Sequence, residues 1–107
     1  MEELNYVTEE TFESDVLRSD LPVLVDFTAA WCSPCKMLSP LVSELAKEWE
    51  GKARIYKMDV DTNQQIPIKY GVMGVPSLIL FKDGEIAARL TGFRPIKQLQ
   101  TTFEPYL

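Results

Sequence analysis

Asp26-Phe27-Thr28-Ala29-Ala30-Trp31-Cys32-Ser33-Pro34-Cys35-Lys36-Met37-Leu38-Ser39-Pro40 joins two segments of different periodicity. Upstream, Pro22-Val-Leu-Val-Asp-Phe-Thr28 is nearly continuously apolar, the pattern of a strand covered on both faces. Downstream, Leu38, Leu41, Val42, Leu45, Ala46 and Trp49 recur at three- and four-residue intervals, which predicts an amphipathic helix. Gly51 is placed to be its C′ residue, and Pro40 predicts a kink. The two cysteines of the chain therefore lie three residues apart at a strand-to-helix junction.

That position suits electron exchange between thiols. A second thiol this close can attack a mixed disulfide formed by the first. The attacking sulfur must be a thiolate, and a helix N-terminus stabilises one through unpaired backbone N–H groups and the positive end of the helix dipole. Pro34 fits the first turn, where its missing N–H costs no helical bond. Cys32, at the cap, is expected to be the exposed nucleophile, and Cys35, one turn inside, the buried resolving thiol. Two blander readings compete. A CxxC pair is often half of a zinc site, but no histidine and no further cysteine exist to complete a tetrahedron. A purely structural disulfide does not suit a reducing cytoplasm.

Outward from this junction the chain reads β-α-β-α-β-α-β-β-α. Residues 4–7 form a short first strand, and Thr8 caps a helix to about residue 19, with Glu9, Glu10 and Glu13 in its first turns. Residues 53–60 read as a strand, and 63–70 as a short helix interrupted by Pro67. Residues 76–81 and 85–91 form a hairpin about Lys82-Asp83-Gly84. From Pro95 to the end runs an amphipathic helix with Ile96, Leu99 and Phe103 on one side. The fold class is α/β: a central mixed sheet that begins with parallel crossovers, ends in an antiparallel hairpin and carries helices on both faces.

The 107 residues, 46% hydrophobic and 25% charged, fit one domain spanning 1–107 that needs no metal or disulfide staple to fold. Eleven basic against sixteen acidic residues give a net charge of −5, with no basic run, which argues against nucleic-acid or anionic-membrane binding. The lack of histidine removes Cys/His and Ser/His/Asp catalysis. No cationic, apolar leader opens the chain, and no apolar run approaches the ~20 residues of a membrane span. A soluble cytoplasmic protein is expected. Asp26 is unusual in this setting: it interrupts a doubly covered strand, where an unpaired carboxylate is costly. Unless it faces solvent on an edge strand, burial raises its pKa.

At these residues the chain resembles the thioredoxin family, whose usual active-site form is Trp-Cys-Gly-Pro-Cys-Lys. The likeness covers essentially the whole chain, through Asp59-Val-Asp61, Tyr70-Gly-Val, Gly74-Val-Pro-Ser77, Phe81-Lys-Asp-Gly84 and Gly92. It implies the thioredoxin fold and protein disulfide reduction, with Asp26 a proton acceptor for Cys35 through water. Lys57, otherwise a surface lysine, would pair with Asp26. Trp31, otherwise a core aromatic, would present a partly exposed ring beside the disulfide. The Val75–Pro76 bond, which sequence alone favours as trans, would be cis and face the cysteines, with the backbone of Val75 free to pair with an extended substrate segment. Gly74 and Gly92, otherwise turn residues, would keep that docking surface flat.

Four positions depart from the family pattern: Ser33 replaces the usual Gly, Thr28 replaces a common Trp, and Ala30 and Phe93 vary the rim. The Ser33 hydroxyl is a candidate hydrogen-bond donor to sulfur. The resemblance further implies a monomer whose partners are disulfide-containing client proteins and a thioredoxin reductase, drawing on NADPH through a flavin or on ferredoxin, since nothing in the chain resembles a cofactor or metal site of its own. A non-catalytic module that holds a partner protein, and an oxidase or isomerase, are the rival readings.

Overall fold

The computed structural model describes residues 4–107. Four strands, β1 (Val23–Thr28), β2 (Arg54–Asp59), β3 (Ser77–Lys82) and β4 (Glu85–Thr91), form one sheet in the order β2-β1-β3-β4. β1 and β2 are parallel, and β3 is antiparallel to both β1 and β4. The helices are α1 (Ser33–Glu48), α2 (Gln65–Lys69) and α3 (Ile96–Phe103), followed by a 3₁₀ turn, Glu104–Tyr106. This is the expected mixed sheet of the thioredoxin fold.

Alternation along the strands divides the core in two. Leu24, Leu78, Leu80 and Ile55 face α1 and α3, where they meet Leu38, Val42, Leu45, Leu99 and Phe103. Val23, Val25, Phe27, Ile79 and Phe81 point to the opposite side, against Phe12, Val16 and, from α2, Ile66. There Phe12, Tyr70 and Phe81 pack with ring centroids 5.1–5.7 Å apart, Phe81 edge-on to the other two. Helices thus cover both faces, and the apolar run of β1 is buried on each side as its composition requires.

The N-terminal elements are smaller than expected. The first strand is a single parallel bridge between Tyr6 and Lys57, bordered by Val7 N–H donating to the Lys57 carbonyl at 2.8 Å. The helix after Thr8 contracts to one π-helical stretch, Glu13–Leu17, closed by Arg18 N–H on the Glu13 carbonyl. Glu9 does not serve that helix. Its carboxylate accepts from the N–H groups of Gln65 and Ile66 and so caps α2, while its own N–H donates to Asn63 Oδ1. A side chain fifty-six residues away in sequence wins the cap, which local patterning cannot show.

Elsewhere the departures are confined to ends. α1 runs through Pro40 and stops at Glu48, so Gly51, at φ +83°, lies one residue beyond the C′ position. α3 stops at Phe103, and the rest of the chain turns as 3₁₀ at Pro105. Asp83 and Gly84, with φ of +54° and +80°, make the two-residue turn that joins β3 to β4.

Candidate functional site

All the singled-out residues except Asp26 and Lys57 lie in segments meeting at one end of the sheet. The C-terminal ends of β1, β2 and β4 and the N-terminal end of β3 converge there, as the pairings Phe27↔Ser77 and Ser77↔Thr91 require. The turn after β1 delivers Cys32 as N-cap of α1, with φ −94° and ψ 108°. Its N–H donates to the Ala29 carbonyl, and its Sγ accepts from the Cys35 N–H at 3.2 Å. Cys32 and Cys35 are joined as a disulfide, with Cα atoms 5.3 Å apart. The sulfur at the cap therefore takes the place a Ser or Asp oxygen commonly holds, bound to an otherwise unpaired backbone donor.

Exposure does not separate the two thiols. Cys32 is 3% and Cys35 4% exposed, so the expected exposed nucleophile is covered in the oxidised form. Val60 and Val75 pack against the pair together with Ala29. Ser33 and Pro34 are exposed in the first turn, and the Ser33 hydroxyl makes no hydrogen bond to sulfur among the described residues. Trp31 is 68% exposed, not a core aromatic, and its Nε1 donates to Asp61 Oδ2 at 2.9 Å.

The Val75–Pro76 peptide is cis. Among the described residues, neither the N–H nor the C=O of Val75 has a backbone partner. The loop is held on either side: Ser77 Oγ donates to the Gly74 carbonyl at 2.7 Å, and Gly92 N–H donates to the Pro76 carbonyl at 2.8 Å. Gly92 has φ +86°, so its backbone conformation favours glycine, whereas Gly74 has no such need; an added Cβ at either would enter open space. A groove of about 170 Å³ lies between this loop and Trp31, with Val60, Pro67, Val72 and Met73 completing its apolar wall.

Asp26 lies one layer below, on the α1-facing side of β1, and is 1% exposed. Among the described residues its Oδ1 has no hydrogen-bond partner. Burial pushes its carboxyl up to about 7, against the pull of the Lys57 charge. Lys57 is its register neighbour on β2, yet the expected ion pair is not formed: the Lys57 Nζ donates instead to Ser39 Oγ at 2.6 Å. Ser39 escaped the sequence reading. The available signal was its i+4 spacing from Cys35, which puts both on one face of α1. Asp61 and Val60 were legible only as parts of a motif, without the roles of anchoring Trp31 and covering the sulfurs.

A CxxC pair at a strand-to-helix junction, oxidised to a disulfide and bordered by an apolar groove, defines a thiol–disulfide oxidoreductase. The Thioredoxin family model matches residues 3–104, and the chain belongs to the thioredoxin family. It is 50% identical over 93 residues to the thioredoxin of Pseudomonas aeruginosa, covering 87% of this chain and 86% of that one. With the thioredoxin of Haemophilus influenzae it shares 46% over 99 residues, 92% of each chain, and with thioredoxin 1 of a Nostoc species 44% over 101 residues, 94% of each. The Cys32–Cys35 pair carries dithiol–disulfide exchange, which disfavours a purely non-catalytic module. Thioredoxins are in general reduced by a thioredoxin reductase and act on disulfide-bearing clients. No described helix is long and apolar enough to cross a membrane.

Proposed function

We propose that this chain is a protein disulfide reductase in which Cys32 leads and Cys35 resolves. The Cys32 thiolate attacks one sulfur of a client disulfide, and the other client sulfur leaves as a thiolate that takes a proton. Cys35 then gives its proton to the Asp26 carboxylate and attacks the Cys32 sulfur of the mixed disulfide. The second client thiolate departs, and the Cys32–Cys35 disulfide remains, oxidised by the two electrons the client has gained. The observation that carries the order of attack is the backbone donor from Cys35 to Cys32 Sγ at the helix cap, which favours negative charge on Cys32.

Trp31, Ser33, Pro34, Gly74, Val75, Pro76 and Gly92 form the docking rim in this reading. The unpaired backbone of Val75 offers a short strand edge to an extended client segment, and the apolar groove beside it takes a side chain. The chain acts as a cytoplasmic monomer of one domain, and a separate flavin- and NADPH-dependent or ferredoxin-dependent reductase restores the dithiol. A Cys35→Ser variant exposed to cell extract accumulates disulfide-linked clients through Cys32. Adducts on a Cys32→Ser variant and none on Cys35→Ser would reverse the assignment.

A further inference from the structure

Lys57 and Asp26 are register neighbours on adjacent parallel strands, on the side of the sheet that α1 covers. An ammonium so close to a buried carboxyl is ordinarily drawn to it, because charges attract more strongly where water is excluded. Here Asp26 Oδ1 is left without a partner among the described residues, while the Lys57 ammonium donates to Ser39 Oγ at 2.6 Å. Ser39 lies one turn beyond Cys35 on α1, and the two line a groove of about 300 Å³ with Lys57, Lys36, Asp59 and Tyr6.

We propose that Ser39 is a positioning residue for the exchange reaction: its hydroxyl holds the Lys57 ammonium in the groove beside Cys35 and keeps it from closing on the Asp26 carboxyl. The hydroxyl is a neutral acceptor, so it fixes the ammonium without cancelling its charge. Asp26 then feels that charge without a direct bond, and its carboxyl stays up at about 7. The groups facing this locus are Lys57 and Asp59 from β2, Cys35 and Lys36 from α1 and Tyr6 from the N-terminal bridge. The β3 neighbour of Asp26 is Leu78, which carries no charge. Loss of the Ser39 hydroxyl frees the ammonium to reach the unpartnered Oδ1 of its register neighbour Asp26, and an ammonium closing on that carboxyl favours the carboxylate.

The inference deepens the reading of Asp26 as proton acceptor, and its titration test does not depend on that reading. The disulfide form, in which the cysteines do not titrate, is labelled at the Asp carboxyl carbon and titrated by NMR. Ser39→Ala lowers the Asp26 midpoint by roughly one pH unit, Ser39→Thr restores it, and Ser39→Ala added to Lys57→Met moves it no further. The pH profile for resolution of a preformed mixed disulfide moves acidward with Ser39→Ala alone. A midpoint that does not fall in Ser39→Ala, or one that falls equally with and without Lys57, overturns the proposal. If instead Asp26→Asn resolves the mixed disulfide at the normal rate, the proton-acceptor reading fails while the titration result stands.

Discussion

Asp26 is the residue whose chemistry and stability conflict most directly. Its carboxyl is raised from the ordinary value to about 7, chiefly by burial. The unfolded chain loses this proton near pH ~4, so between about pH 4 and 7 the unfolded state ionises while the folded state does not. Stability associated with the neutral carboxyl is complete below that window, falls through it and is gone above pH 7. Asp26→Ala is therefore more stable than the parent at pH 8, by on the order of 2–4 kcal/mol, with the advantage shrinking as pH falls toward 4. Urea denaturation at several pH values reads this directly. The same variant resolves mixed disulfides more slowly at neutral pH. A variant less stable at pH 8 and equally fast would contradict both roles. The anomaly of Asp26 was legible because a charge stood in an apolar strand. The Lys57 rotamer was not, because register puts Lys57 beside Asp26 while a hydroxyl from another element decides where its ammonium goes.

At the scale of elements, the segments with strong internal periodicity were readable and those assembled by distant partners were not. α1 and the β3–β4 hairpin carry their own signals: an apolar face with Leu38 and Leu45 fully buried, and the Asp83-Gly84 turn. Leu38→Ala removes a side chain wedged between α1 and the sheet, and chemical denaturation is expected to show a loss of about 2–5 kcal/mol. The segment before β1 has no such autonomy. Its strand is one bridge on β2, and its Glu9 is committed to the first N–H groups of α2. Glu9→Ala is expected to lower global stability by about 1 kcal/mol. It also speeds hydrogen exchange at the N–H groups of Gln65 and Ile66, with α1 unaffected; unchanged exchange there would refute the capping role. Likewise Gly92→Ala, which forces a side chain into φ +86°, costs about 1 kcal/mol although nothing crowds the new methyl.

On the scale of the whole molecule, the mixed topology is what assembles the site. Because β1 and β2 run parallel and β3 returns antiparallel between β1 and β4, the Cys32 cap, Asp61, the Val75–Pro76 loop and Gly92 arrive at one end of the sheet from four separate stretches of chain. The two apolar layers fix that end, and the groove between Trp31 and Met73 gives it an apolar entrance despite the net charge of −5. The order of elements could be read from sequence, and with it the fold. The burial of both sulfurs could not, since it follows from Val60 and Val75 reaching the pair from different loops. The role proposed for the Cys32–Cys35 pair is that of a reductant of protein disulfides. Its most direct test is equilibration of the protein with graded dithiol–disulfide buffers, read by alkylation and mass spectrometry. A midpoint more reducing than the glutathione couple is expected, and a midpoint on its oxidising side would rule that role out.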